Sequence, residues 1–250
     1  MLRNVNSSIL FAQAKTELNL YFNPANNILL MKTIIKIYFT VIICATFLYA
    51  QNEGGFKIAR LKYNGGSDWY NDPSAEVNLL NFIAQNTNIK TNPVYEFVDL
   101  TSGNIFDCPF LFMTGHGNIV FSDSDAKKLR NYLENGGFLY VDDDYALDNA
   151  FRREIKKVFL DKDLQELPFN FGLYHCMFDF PNGPPKIHEH DGKPAQGFGI
   201  FYNGRLCVYY TYESNPSDGW ADPEVHKDPP EKREEALRFG TNIVVWALMN

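Results

Sequence analysis

From residue 56 onward, apolar runs alternate with amphipathic stretches. "FKIARLKY" (56–63), "VYEFVDL" (94–100), "PFLFMTG" (109–115) and "FLYV" (138–141) read as strands. The third is apolar almost throughout, as a strand covered on both faces must be. Helical periodicities lie between them. Residues 73–86 set Val77, Leu80, Ile83 and Ala84 on one face, with Asp72 as N-cap and Pro73 at the first helical position. "SDSDAKKLRNYLENGG" offers Ser122 as cap, Asp125 three residues on, an apolar face of Ala126, Leu129, Tyr132 and Leu133, and a stop at Gly136 and Gly137. "DNAFRREIKKVF" (148–159) aligns Phe151, Ile155, Val158 and Phe159, with Asp148 or Asn149 to cap it. This alternation predicts an α/β fold with a mostly parallel sheet. The pattern then changes. "GFGIFYNGRLCVYYTY" (197–212) reads as two strands turning at Asn203–Gly204, a strong hairpin signal. Residues 160–196, rich in proline, glycine and aromatics, are expected to form long ordered loops. "EEALRFGTNIVVWALMN" (234–250) reads as a helix with Ala236, Phe239, Ile243, Val244 and Ala247 toward the core.

The first fifty residues stand outside this pattern. "MKTIIKIYFTVIICATFLYAQ" begins at Met31 with Lys32 and Lys36, continues as an apolar stretch to Ala50, and meets Gln51. That is the layout of a secretory signal peptide, and about 14 apolar residues is short for a membrane span. The expected organisation is a disordered gene-model extension over 1–30, a signal peptide over 31–50 and a single α/β domain over 51–250, exported to the periplasm or secreted. The alternative is a retained membrane anchor over residues 34–50.

Charge narrows the partners. Of 23 basic and 30 acidic residues, residues 1–50 hold four and one, leaving 19 and 29 and a net charge of −10. Such a domain will not favour nucleic acid or anionic lipid, so membrane contact is expected only through an uncleaved N-terminal segment. Cys108, Cys176 and Cys207 are odd in number and irregular in spacing, and make no disulfide framework.

In open parallel sheets, ligands bind beyond the carboxyl ends of the strands. Here those ends carry the polar and aromatic residues. The first strand leads to "NGGSDWY", with Asp68 and Trp69. The third leads to "TGHGN", with His116 between two glycines. The fourth leads to "DDDY" (142–145), and the hairpin to "TYESNPSDGW", with Glu213, Asp218 and Trp220. Strand alternation would send Asp142 and Asp144 one way and Asp143 the other. Two close carboxylates raise one pKa or attract a cation, so a divalent metal with oxygen ligands and His116 is one reading of the triplet. Capping of the next helix is the other. His175, in "LPFNFGLYHCMF", reads either as a packed histidine or as one at the crevice rim. "HEH" (188–190) has the spacing of two ligands on one strand face, yet its Gly/Pro-rich setting reads as a solvated loop. His226 is expected to be exposed.

"FKIARLKYNGGSDWY", "FLFMTGHGN", "LRNYLENGGFLYVDDD" and "NGRLCVYYTYESNPSDGW" together resemble the bacterial family labelled domain of unknown function 4159, over about residues 55–249. The resemblance implies a flavodoxin-like, class I glutamine amidotransferase-like three-layer sandwich, and no established reaction. In that fold a cysteine occupies a tight strand-to-helix elbow. "NGGFLYVDDDYA" falls there, with Asp143 or Asp144 in the cysteine's place, so thiolate amide transfer is excluded on residue type. Two functions are then expected. One is an exported module binding a small polar or sugar-like ligand. Trp69, Tyr70 and Trp220 would stack on it, Asp68, Asp143, Asp144 and Asp218 would accept its hydrogen bonds, and His175 would sit at the rim. The alternative is a hydrolase, metal-assisted or not, with Asp143 or Asp144 as general base or metal ligand and His116 as acid–base partner.

Overall fold

Seven strands form one sheet in the computed structural model, which describes residues 35–36 and 54–249 apart from Ser102 and the side chains of residues 103 and 104. The chain divides into two units, residues 1–54 and 55–250. In the first, Ile35 and Lys36 are helical and exposed. The expected extension, signal peptide and anchor otherwise lie outside the described residues. No helix among the described residues is long and apolar enough to cross a membrane.

The strands are β1 (Ala59–Lys62), β2 (Glu96–Asp99), β3 (Phe110–Met113), β4 (Phe138–Asp142), β5 (Gln165–Glu166), β6 (Gln196–Tyr202) and β7 (Arg205–Tyr212), in the order β2-β1-β3-β4-β7-β6-β5. Pairing is parallel from β2 through β7, and antiparallel from β7 to β6 and β5. The β6–β7 turn is at Asn203 (φ 50°) and Gly204 (φ 81°), the left-handed pair that a two-residue hairpin requires.

The helices are α1 (Ala75–Asn86), α2 (Asp123–Glu134), α3 (Asp148–Val158), α4 (Pro216–Trp220), α5 (Pro223–His226) and α6 (Pro230–Met249). On one face of the sheet, Leu111, Met113, Leu139 and Val141 pack with Leu129 and Leu133 of α2 and Phe151 and Ile155 of α3. On the other, Phe110, Phe112, Phe138 and Tyr140 pack with Leu79 and Ile83 of α1 and Phe239 and Ile243 of α6. Alternate side chains of β3 and β4 are buried on both sides, which explains their unbroken apolar runs.

Helix starts separate sound expectations from corrected ones. At α2 the full capping box forms: Asp125 N donates to Ser122 Oγ (3.2 Å), and Ser122 N donates to Asp125 Oδ2 (3.0 Å). At α1 the helix begins at Ala75, two residues after Pro73, and Ser74 is the N-cap. Asp72 does not cap it; its backbone is left-handed (φ 45°) and its carboxylate meets His226 Nε2 at 2.9 Å. At α3 neither Asp148 nor Asn149 caps. Leu147 is the N-cap, and its amide donates to Asp143 Oδ1 (2.9 Å). Helix α6 starts four residues earlier than the periodicity predicts, and α4 and α5 were not anticipated.

Candidate functional site

The segments following β1, β3, β4 and β7 meet beyond the carboxyl edge of the sheet. His116 follows β3 between Gly115 and Gly117. Gly115 has φ +136°, and a Cβ there would lie 2.6 Å from Tyr63 Oη and 2.9 Å from Ser67 Oγ. Glycine lets the β1 and β3 segments close this tightly. Asp68 receives the His116 amide on Oδ1 (2.7 Å), and its Oδ2 lies 2.9 Å from His116 Nδ1. Asp144 Oδ2 lies 3.3 Å from the same nitrogen. Asp144 also accepts from Asn71 Nδ2 (2.6 Å) and Asn215 Nδ2 (3.1 Å). Asn215 Nδ2 donates as well to Asp218 Oδ2 (2.7 Å). The His188 Nδ1 atom lies 2.5 Å, and the His226 Nδ1 atom 3.6 Å, from that oxygen. His116, His188, His190 and His226, four of the five histidines, line one cavity of about 410 Å³ with Asp144 and Asp218.

Each aspartate of the triplet has a separate set of partners. Asp142 is fully buried and accepts from Thr211 Oγ1 (2.6 Å) and from the Ser217 amide (2.8 Å), which ties β4 to the start of α4. Asp143 turns the other way, to the start of α3. Asp144 faces the cavity. Alternation along the strand therefore holds, and Asp143 does not line the cavity.

The structure brings Asp68, His116, Asp144 and Asp218 together, and separates the remaining candidates. Trp220 is buried. Its indole Nε1 donates to the Ala236 carbonyl (2.8 Å), and its ring packs on Phe112 and Tyr140, which leaves no face for a ligand. Trp69 packs against Tyr70 and Phe97 beside the edge strand β2 and does not line the cavity. His175 is exposed, bonded to Asp179 (2.5 Å) and the Phe169 carbonyl (2.9 Å), also away from it. Conversely, His188 and His190 are half-buried cavity residues instead of parts of a solvated loop, and His226 is half-buried instead of exposed. Buried Glu213 positions the "HEH" segment: it accepts from Lys186 Nζ (2.9 Å) and the Asp191 amide (2.9 Å), while Ile187 N donates to Ser214 O (2.8 Å). Asp218 and His226, which line the cavity with His188 and His190, lie beyond residue 213, where local sequence could not connect them.

Electrostatics follow from this crowding. Burial, reinforced by Asp218, lifts Asp144 to about 6. Burial opposes charge on His116, but Asp144 and Asp68 outweigh it and raise its pKa. The Asp72 hydrogen bond lifts His226 to about 9, and Asp218 raises His188. Burial lowers His190. Backbone strain gathers here too. Of the six non-glycine residues with positive φ among the described residues, Asp72, Ala146, Glu213, Asn215 and Lys227 belong to the segments around this cavity. Such conformations cost about 1–3 kcal/mol each and cluster at functional sites. A larger cavity, of about 740 Å³, lies between residues 178–186 and α6, but its lining holds no histidine and none of these strained residues, so the chemistry points to the smaller one.

These features define an α/β protein with a histidine–carboxylate cluster at the carboxyl edge of a mostly parallel sheet. The family described as domain of unknown function (DUF4159) matches residues 57–248, and the chain belongs to that family. No curated protein matches the chain significantly.

Proposed function

We propose that this chain is an Asp/His-dependent hydrolase acting on a small polar substrate, on a flavodoxin-like, amidotransferase-like scaffold that lacks the thiol nucleophile. The scaffold reading rests on the 2-1-3-4 order continued by β7, and on a cavity beyond the carboxyl ends of β3, β4 and β7. Cys108 and Cys207 are buried within the fold and Cys176 is half-buried; none lines the cavity. Burial also pushes the thiols of Cys176 and Cys207 up to about 11, far from thiolate chemistry. An exported location remains part of the proposal and rests on the sequence of residues 31–50.

The observation that carries the reading is the clamp on His116. Two carboxylates fix Nδ1, the side chain is half exposed, and Nε2 has no hydrogen-bond partner among the described residues. Carboxylates on one ring nitrogen set the tautomer and leave the other to exchange protons with water or substrate. Asp144, near 6, shares that proton economy. Ligand binding by aromatic stacking, the other expectation, has less support at this cavity: Trp220 is in the core, and neither Trp69 nor exposed Tyr70 lines it. The test is a panel of chromogenic esters, amides, glycosides and phosphoesters with the full chain, with and without Zn²⁺. Turnover of at least one class is expected, falling about 10²–10⁴-fold in His116→Ala with the melting temperature unchanged. Silence across all four classes contradicts the reading.

A further inference from the structure

His188, Asp218 and His226 come from three separate segments: the "HEH" loop, α4 and the end of α5. One ligand atom from each lies within 4.8 Å of the other two. Both imidazoles present Nδ1 to the same carboxylate oxygen, Asp218 Oδ2, at 2.5 and 3.6 Å. Both are held from behind through Nε2. His188 Nε2 lies 3.1 Å from Asp228 Oδ2 and His226 Nε2 lies 2.9 Å from Asp72 Oδ2. A carboxylate behind a ring takes its N–H and leaves the opposite lone pair pointing forward. That outer-shell arrangement is how metal-ligating histidines are oriented. Two ring lone pairs and a carboxylate aimed at one spot repel each other unless a cation or protons sit among them.

A second observation points the same way. Asp218 is 4% exposed and Asn215 is 1% exposed, both line the cavity, and Asp218 Oδ1 and Asn215 Oδ1 have no hydrogen-bond partner. Leaving a buried oxygen without a partner costs about 1–3 kcal/mol, more for a charged group. Two such atoms, on residues that line the same cavity as the converging imidazoles, are paired best by a cation and its bound water. The segment is also built to hold its place. Trp220 anchors α4 in the core, Asp142 holds the Ser217 amide, and Asp72 and Lys227 keep left-handed backbones on either side of His226's contacts.

We propose that His188, Asp218 and His226 bind a divalent transition-metal cation of the zinc class, with Asp228 and Asp72 orienting the two imidazoles, in the cavity that His116 and Asp144 also line. Two imidazole nitrogens with one carboxylate suit zinc or cobalt, whereas magnesium and calcium take oxygen sets. The site deepens the hydrolytic reading, and its catalytic use rests on that reading, but cation binding is measured independently of turnover.

The test is isothermal titration of the full chain, stripped with chelator and dialysed, with ZnCl₂ and then MgCl₂, folding being checked by circular dichroism. One saturable Zn²⁺ site is expected. Asp228→Asn should weaken it about 10–100-fold, and His188→Ala and His226→Ala by more than that. His175→Ala should match the wild type. Absence of saturable Zn²⁺ binding, equal affinity for Mg²⁺, or a site that survives loss of both His188 and His226 would overturn the proposal. Should an alanine variant lose its fold, Asp228→Asn carries the test, and unchanged affinity there counts against the site. Zn²⁺ binding without turnover of any substrate class would sink the hydrolase reading and leave the metal site standing.

Discussion

Three adjacent aspartates do three different things because a strand end turns each to a different partner. Asp142 holds the start of α4 and Asp143 the start of α3, while Asp144 meets His116. Substitution should separate these roles. Asp143→Ala removes the acceptor for the Leu147 amide and should cost about 1 kcal/mol, as loss of a helix-start acceptor does, with turnover per folded molecule retained. Asp144→Asn keeps size and shape, and should abolish most turnover at an unchanged melting temperature. Thermal unfolding and kinetics on the same preparations check both, and equal losses of turnover in the two variants would contradict the assignment. The alternation of the triplet was legible in the sequence, since it follows from the period of a strand. The identity of the partners was not. Thr211, Ser217, Asn215 and Asn71 lie about seventy residues away in the chain; the hydrogen bonds of the first three exist only once β7 lies beside β4, and that of Asn71 only once the loop after β1 reaches the end of β4. Trp220 misled for a related reason: a tryptophan in a polar loop looks like a ligand platform until α6 closes over it.

Among the elements, β1 and α1 carry the least obvious support of the site. Arg60 on β1 is fully buried and meets Glu76 of α1 through two hydrogen bonds, Nε to Oε1 at 2.5 Å and Nη2 to Oε2 at 2.8 Å. Its Nη1 donates to the carbonyls of Trp69 (2.9 Å) and Asn71 (2.8 Å). The guanidinium thus fixes the loop whose Asn71 side chain holds Asp144. Glu76→Leu should destabilise the protein by about 3–5 kcal/mol, because it leaves a buried cation without its partner. Adding Arg60→Met should recover most of that loss, yet lower turnover, since the Asn71 loop is no longer held. Denaturant unfolding with kinetics resolves the two effects; full recovery of both would show the ion pair to be structural only. Helices α2 and α3 and the hairpin were readable from periodicity and turn residues. The short helices α4 and α5 carry no periodicity of their own; α4 is set by its packing on α1 and α6, and α5, with no buried residue, is tied to Asp72 through His226.

At the scale of the whole molecule, the parallel strand order delivers the β1, β3, β4 and β7 segments to one edge, and the acids concentrated there make stability depend on pH. Burial raises Asp142 to about 8 and Asp143 and Asp144 to about 6, from an ordinary 3.8. A carboxyl whose pKa is raised by folding contributes stability that is full below about 4 and lost as pH rises through its folded value. His226, raised to about 9 from 6.5, acts in the same direction, with stability full below about 6.5 and lost through 9. The melting temperature in chelator should therefore fall from pH 6 to 9, and a rise over that window would contradict these directions. The fold class and the edge that holds the site were legible because both follow from the alternation of strands and helices. Which histidines face the cavity was not, because His188 and His226 become neighbours only where α5 and the "HEH" loop meet at Asp218. The central claim is that these segments build one metal-holding hydrolytic centre. An anomalous difference map from crystals grown with Zn²⁺ tests it most directly. The account predicts a single strong peak about 2.0–2.2 Å from a ring nitrogen of His188, a ring nitrogen of His226 and a carboxylate oxygen of Asp218; a peak elsewhere, or none at full Zn²⁺ occupancy of the solvent, would contradict it.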